Sequence, residues 1–352
     1  MNPCGIVAAG LIHSLVLMPE GDVYQFGNSG DGRPIREPAI ISGLPPITSV
    51  AAGSQFSLFV DHDGNVWGMG NSPEGELGFV GRCAEPQQIK FQGDVRIKMA
   101  AASRNYYSVF LDEHGSVWTC GYNVYGQLGL GHSNNVATPS KIENIPKMSS
   151  ISAGHYHTLL LDENGEVWTC GYNAYGQLGR PTDMQQMCSE NAVKMPSPVK
   201  FKVLSAGNYH SMFLDVEGRV WGCGHNRDAS LALGHTKDVN SVEMWQEKAK
   251  IRFISAGNYR TLLIDEEGDV WYAGKGGETM PHKIKIEGSS WEGFVASCDS
   301  HHLVVDTGGQ VWVWGDDSEG QLGLEQSSKF AELPVVNTLL PPMFRRTKSA
   351  RK

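Results

Sequence analysis

The sequence predicts an all-β chain, a seven-bladed β-propeller of four-stranded antiparallel blades. Three observations carry that expectation. Val117-Trp-Thr-Cys-Gly-Tyr-Asn-Val-Tyr-Gly-Gln-Leu-Gly129 returns 50 residues later as Val167-Trp-Thr-Cys-Gly-Tyr-Asn-Ala-Tyr-Gly-Gln-Leu-Gly179. Such a period marks one supersecondary unit that cannot bury its apolar face alone. The aromatic of that stretch recurs seven times, as Tyr24, Trp67, Trp118, Trp168, Trp221, Trp271 and Trp312, at steps of 43, 51, 50, 53, 50 and 41 residues. A turn glycine precedes each aromatic at a fixed offset, and no copy holds a ten-residue stretch of helical periodicity.

The fourth copy shows the elements in order. Ile151-Ser-Ala-Gly154 is a short apolar segment, and His155-Tyr-His157 is a tight connection. Thr158 to Asp162 is strand-like. Asp162-Glu-Asn-Gly165 is a hairpin turn, since asparagine and glycine both tolerate positive φ. Glu166 to Cys170 alternates, which puts Val167 and Trp168 on opposite faces. A glycine-bounded loop runs from Gly171 to Gly179, and the proline-led Pro198-Val-Lys-Phe201 is expected to supply the fourth strand. Acidic groups at the hairpin tips, such as Asp162-Glu163 and Asp265-Glu266-Glu267, are expected to be solvated. The copies begin at Ala8-Ala9-Gly10 and end at Leu333-Pro-Val-Val-Asn337. Those two ends are expected to pair within one blade and so close the ring. An open solenoid is the alternative, but the units are hairpin-rich and neither end carries a polar capping repeat. The propeller is assigned to residues 4–340 and a basic, disordered tail to residues 341–352.

A net charge of −9 over 352 residues argues against a general nucleic-acid binder. No apolar run reaches 18 residues and the first residues lack the features of a signal peptide, so no membrane partner is expected. The seven cysteines have no disulfide-framework spacing and no Cys-x-x-Cys pair. Cys120, Cys170 and Cys223 share a repeat position held elsewhere by Phe26, Met69, Ala273 and Trp314, so they read as reduced core residues. That predicts a cytoplasmic or nuclear protein without a metal site. Phosphate loops, nucleophile elbows and zinc-protease motifs are absent from the sequence. Neither a cofactor nor a catalytic residue is expected.

The pattern Ala-Gly-x-x-His-(Ser/Thr)…Gly-x-Val-Trp-x-x-Gly-x-Asn-x-x-Gly-Gln-Leu-Gly resembles the regulator of chromosome condensation family. The fourth copy carries all of it, from Ala153-Gly154 to Gly176-Gln-Leu-Gly179, and the sixth stops after Trp271 and Gly274. The resemblance covers roughly residues 4–340 and implies a propeller. It also implies guanine-nucleotide exchange on a Ran-type small GTPase, with acidic residues in the connections engaging the GTPase and an extended wedge loop in one blade. Here the matching connection position is acidic only at Asp299. The nearest counterpart of the wedge is Arg227-Asp228, in a loop (Gly224 to Gly234) two residues longer than Gly171 to Gly179.

What the copies share is expected to serve folding, so partner-binding residues are sought where they differ. One ring position reads Gly10, Gly53, Arg104, Gly154, Gly207, Gly257 and Cys298. Arg104 either reaches the tunnel or a face, or marks a one-residue slip. The connections that follow gather Tyr106, His155, Tyr156, Asn208, Tyr209, Asn258, Tyr259, Arg260 and Asp299 around the tunnel mouth, a tyrosine-rich polar surface of the kind found in interaction hot spots. The recurrent His13, His157, His210 and His301 are expected to hydrogen-bond backbone between strands. A second departure, Arg180 to Ser197, reads as a methionine-bearing blade-edge loop. The tail Arg345-Arg-Thr-Lys-Ser-Ala-Arg-Lys352 is a nuclear address, a weakly nucleic-acid-binding arm, or an ordinary end or linker. The expectation is a monomeric, non-catalytic scaffold binding proteins through one face. The alternatives are a Ran-type exchange factor and a substrate-recruiting module of a larger signalling or ubiquitin-transfer protein.

Overall fold

A computed structural model describes residues 6–28, 34–181, 187–247, 249–274, 278–284, 291–298, 300–325 and 329–343. They form seven four-stranded antiparallel sheets in a ring, each from four strands consecutive in sequence, and no helix occurs among them. The blades span residues 7–40, 47–89, 97–141, 148–194, 201–244, 251–284 and 291–336. Innermost strands such as Met148–Ala153 line a central channel of about 230 Å3. The second strand of each blade is packed on both faces by neighbouring blades. That is why His157–Asp162 reads as a continuous apolar run and is buried at every position. In the third strand, Val167–Tyr172, buried Val167 and partly exposed Trp168 fall on opposite faces as expected, but Thr169, Cys170 and Gly171 are all buried.

The fourth strand differs from the sequence expectation. In the fourth blade it is Cys188–Lys194, drawn from the stretch read as an excursion, whereas Phe201 begins the inner strand of the next blade. Proline does not lead the outer strands but sits inside four of them, at Pro38, Pro86, Pro139 and Pro334. An edge strand tolerates the missing N–H, and proline there discourages pairing with another chain.

Closure also differs. The two ends do not share a blade, because Val7–Ala9 pairs within the first sheet and Phe330–Val336 within the seventh. Side chains close the ring instead. Ser14 Oγ meets His301 Nε2 at 2.9 Å and donates to the Gln321 carbonyl at 2.8 Å. Val16 and Phe26 of the first blade pack in one cluster with Leu303, Val313 and Leu322 of the seventh, joined by Leu340 and Met343.

The same stitch recurs around the ring. His13 meets Ser57 at 3.0 Å, His157 meets Ser211 at 2.9 Å, and His210 meets Thr261 at 3.1 Å. The histidines thus bond hydroxyls of the next blade through Nε2, and His210 and His301 also meet backbone, at Asn258 and His13. Ser211 gives its one proton to the Gln177 carbonyl, so the His157 imidazole donates from Nε2. Burial pushes these imidazoles down, His13 to about 4 and His157, His210 and His301 to about 3. The glycine upstream is obligatory for this packing. A Cβ on Gly154 would stand 2.4 Å from the His157 ring.

The hairpin aspartates are not solvated tips. Asp61, Asp112, Asp162, Asp215, Asp265 and Asp306 are buried, and each accepts the indole N–H of the tryptophan six residues on, as Asp215 does from Trp221 at 3.0 Å. The other carboxylate oxygen caps the turn; Asp162 Oδ1 takes the N–H groups of Asn164 and Glu166. In that turn only Gly165 has positive φ (+77°), so it is a turn closed by a left-handed glycine rather than a paired Asn-Gly hairpin. Burial works to raise the Asp215 carboxyl, but Trp221, the Arg219 N–H groups and the Arg219 guanidinium outweigh it and hold it below its ordinary range. Asp215→Ala should therefore cost about 2 kcal/mol in denaturant unfolding, by stripping these donors of a buried acceptor. A loss below about 0.5 kcal/mol would show that the clasp is decorative.

The thiols of Cys120, Cys170 and Cys223 are buried free cysteines on the seams between blades. Each donates to the carbonyl of the preceding blade's loop, Cys170 to Gln127 at 3.4 Å. Burial pushes the thiols of Cys170 and Cys223 up to about 12, which keeps them inert.

Candidate functional site

Antiparallel topology puts the first-to-second connections and the third-to-fourth loops of every blade on one face. The hairpins and inter-blade links lie on the other. On the connection face, blades three to six present a continuous aromatic belt. Tyr156 touches Tyr125 (ring centroids 4.9 Å), His155 (4.1 Å) and Tyr209 (6.2 Å), and Tyr125 touches Tyr172 at 5.0 Å. Tyr175 bridges Tyr209 (5.5 Å) and His225 (5.2 Å), and Tyr259 stacks on Tyr209 at 6.4 Å. Tyr122 extends the belt from Tyr156 at 6.2 Å. The tyrosines are half-buried. Burial and then neighbouring tyrosines push Tyr209 up to about 12, and the same two causes raise Tyr156 and Tyr172, so the belt is uncharged at neutral pH.

The sequence expectation captured part of this belt. His155, Tyr156, Tyr209 and Tyr259 belong to it, and His155 Nδ1 lies 3.1 Å from the Tyr209 hydroxyl. Burial, then Arg104, lowers His155 to about 4. The rest is Tyr122, Tyr125, Tyr172 and Tyr175, from the near-identical stretch assigned wholly to folding, and His225 of the fifth blade. Its signal was readable: the position of Tyr125 and Tyr175 holds Glu74, Asp228 and Glu319 in the second, fifth and seventh copies. The face is therefore aromatic over one arc and acidic at scattered points around the rest.

Other expected residues fall elsewhere. Ser103, not Arg104, holds the glycine position, because its N–H donates to the Tyr107 carbonyl as Gly154 does to His157. Arg104 is the extra residue of a bulged connection, and both readings of it combine: the slip releases a side chain that crosses the channel. Its Nη1 donates to Asn208 Oδ1 at 3.0 Å and its Nη2 to the Ser297 carbonyl at 2.7 Å. Asn208 in turn donates to Asn258 at 2.7 Å, so both amides are spent at the channel mouth. Tyr106 takes φ +57° in that bulge, and no ring contact ties it to the belt among the described residues. Arg260 is not on this face. It occupies the ring-histidine position and lies over Tyr272 at 5.9 Å in the seam between blades six and seven. Asp299 lies outside the described residues, as does the basic tail from residue 344 onward.

The wedge expectation fails on length. Leu231 N–H donates to Asn226 Oδ1 as Leu178 N–H does to Asn173, and Ala229 and Ala232 take φ +58° and +62° at the places of Gly176 and Gly179. The loop is no longer than its counterparts; alanines replaced the glycines that served as landmarks. Arg227 is ion-paired to Asp238 at 3.2 Å, on an exposed edge.

Three similarities agree with this architecture. Human HERC3, a probable E3 ubiquitin-protein ligase, is 32% identical over 74% of this chain and 21% of its own length. The Arabidopsis thaliana ultraviolet-B receptor UVR8 is 27% identical over 69% of this chain and 46% of its own. The solved structure of Prp20p from Saccharomyces cerevisiae, described with its binding to Gsp1p and histones, superposes with a TM-score of 0.79 at 20% identity, covering 92% of this chain and 87% of that one. This chain spans less than half the length of either curated relative. A family model for the RCC1-like domain matches residues 37–280, more than half of the chain, and the protein belongs to that family.

Proposed function

We propose that this propeller is a non-catalytic interaction platform whose aromatic belt grips a protein partner. The observation behind this reading is the belt itself, nine rings across four blades held at contact distance, all half-buried except the buried His225. Rigid tyrosines bring contact area at low entropic cost and are enriched in hot spots. Their ring faces attract cations, and the net charge of −9 favours the same kind of partner, one that presents lysine or arginine.

The test is proximity labelling in cells with the intact chain and with a Tyr156→Ser, Tyr175→Ser, Tyr209→Ser variant. These positions are partly exposed, so the variant should melt within a few degrees of the parent. A reproducible set of proteins should disappear from the variant. An unchanged set, with the fold intact, would sink the proposal.

The exchange-factor alternative draws support from the likeness to Prp20p, and the recruiting-module alternative from HERC3. Release of fluorescent GDP from a Ran-type GTPase on addition of the purified chain separates exchange from the other two.

A further inference from the structure

The seam between blades six and seven departs from the plan of its neighbours. In five described blades a loop leucine (Leu77, Leu128, Leu178, Leu231, Leu322) fills the space beside the next blade and is fully buried. The carbonyl just before it accepts the next blade's hydroxyl, as Ser108 donates to Glu76 at 2.7 Å and Thr261 to Ser230 at 2.7 Å. Blade six has no Gly-Gln-Leu-Gly sequence; only seven residues separate Gly274 from His282, where fourteen separate Gly121 from Val136. Its outer strand is described at His282–Ile284. Among the described residues, a cleft of about 590 Å3 opens here between blades six and seven.

The lining follows from the same register. His302 holds the position of the accepting hydroxyl, and Trp314 the position of the core cysteines. Arg260 replaces the ring histidine, Tyr272, Ile284, Phe330 and Leu333 supply apolar walls, and the exposed His282, Lys283 and Glu332 also line the cleft. Arg260 Nη1 lies 3.4 Å from His302 Nε2, and His302 Nδ1 lies 2.9 Å from Ser297 Oγ. Burial, then Arg260, holds His302 well below its ordinary value, so the neutral ring accepts at Nε2 and donates at Nδ1. Arg260 Nε is buried without a partner among the described residues. The cleft thus sets the Arg260 guanidinium over an aromatic floor, with Lys283 and one carboxylate, Glu332, on the exposed part of its lining. A buried, unpaired donor on a cation is costly to keep.

We infer that the blade six–seven cleft is a socket for a partner peptide in which a carboxylate stands beside an apolar side chain. The carboxylate supplies the acceptor that Arg260 Nε lacks among the described residues, as a charge-assisted bond. The apolar side chain takes the place that a loop leucine takes in the other seams, against Tyr272, Trp314 and Leu333. This site is separate from the aromatic belt, so either can fail without the other.

Blade two already carries such a segment, Ser72-Pro-Glu-Gly-Glu-Leu-Gly-Phe-Val80, and a fluorescent copy of it is the probe. Anisotropy should show saturable binding to the intact chain. A copy with Gln at the central Glu should bind about tenfold more weakly, the effect expected of one charge-assisted bond. Arg260→Gln should bind both copies equally weakly. Arg260→His, which restores the histidine of the other seams, should fold and still lose the preference for Glu. Leu333 is 72% exposed, so Leu333→Asp tests the apolar wall without threatening the core, and should weaken binding severalfold. Saturable binding absent up to millimolar peptide, or a Glu preference that survives in folded Arg260→Gln, would overturn the inference.

Discussion

Lowering the pH from 7 to 5.5 should destabilise this propeller by roughly 3 kcal/mol through its four ring histidines and Glu76 alone, well before its surface carboxylates protonate. His13, His157, His210 and His301 are buried, and burial lowers their pKa to about 3–4. Each gives an Nε2 contact to the next blade, while Nδ1 of His13, His157 and His301 is buried without a partner. Protonation would put a charge and an unpaired donor there. The unfolded chain takes up these protons near pH 6.5 and the ring does not. Stability is therefore complete above pH 6.5 and falls as the pH drops towards the folded values. Between pH 7 and 5.5 each histidine loses about 1.2 kcal/mol, or about 5 kcal/mol for four. Glu76 opposes them. Burial raises its carboxyl to about 7, so it gains a proton in the folded state over the same interval and returns about 1.5 kcal/mol. Calorimetry at the two pH values should show a melting point lower by several degrees at pH 5.5. In His157→Phe, which copies Phe56 of the second blade, the slope should be shallower. A melting point unchanged between pH 7 and 5.5 would mean that the stitches tolerate charge.

The sequence told most where one residue does one job in every copy. The glycine-to-aromatic spacing located all seven blades, because a left-handed turn and a wedge between blades leave few alternatives. It misled where a residue does two jobs. Asp162 and Asp265 look like solvated turn residues, yet their carboxylates are buried under the tryptophan two strand positions beyond the turn. Tyr125 and Tyr175 sit inside a repeated stretch, so repetition hid that their rings face outward onto Tyr156 and Tyr209. Glycine landmarks failed in the fifth blade because Ala229 and Ala232 accept the left-handed conformation, and a loop of ordinary length looked extended. The fourth strand was the least legible. It packs on one side only, carries polar residues and proline, and its bounds depend on pairing with the third strand rather than on its own pattern.

Glu76→Gln should stabilise the protein by about 2–3 kcal/mol at pH 8. The position follows the loop glycine, where blades three, four and seven carry Gln127, Gln177 and Gln321. In those blades the amide oxygen accepts a loop N–H, from Tyr125 at 3.0 Å in blade three, while Nε2 is buried without a partner. Glu76 copies the first bond, with its Oε2 taking the Glu74 N–H at 3.0 Å and lying 3.3 Å from Ser72 Oγ, but its Oε1 is buried without a donor. A charge there is poorly compensated, and burial, the largest cause, raises the carboxyl to about 7. Its folded value lies above the unfolded 4.5, so its favourable contribution is whole below pH 4.5 and lost as the pH climbs through 7. Ionisation at pH 8 then costs up to about 3.4 kcal/mol, which the neutral amide avoids at the smaller cost of one unpaired N–H. Denaturant midpoints at pH 8 and pH 4.5 separate this from generic packing gain: the advantage of glutamine should be large at the first and nearly absent at the second. Equal gains at both would place the benefit in shape rather than charge, and no gain at pH 8 would mean that blade two has compensated its carboxylate by another route.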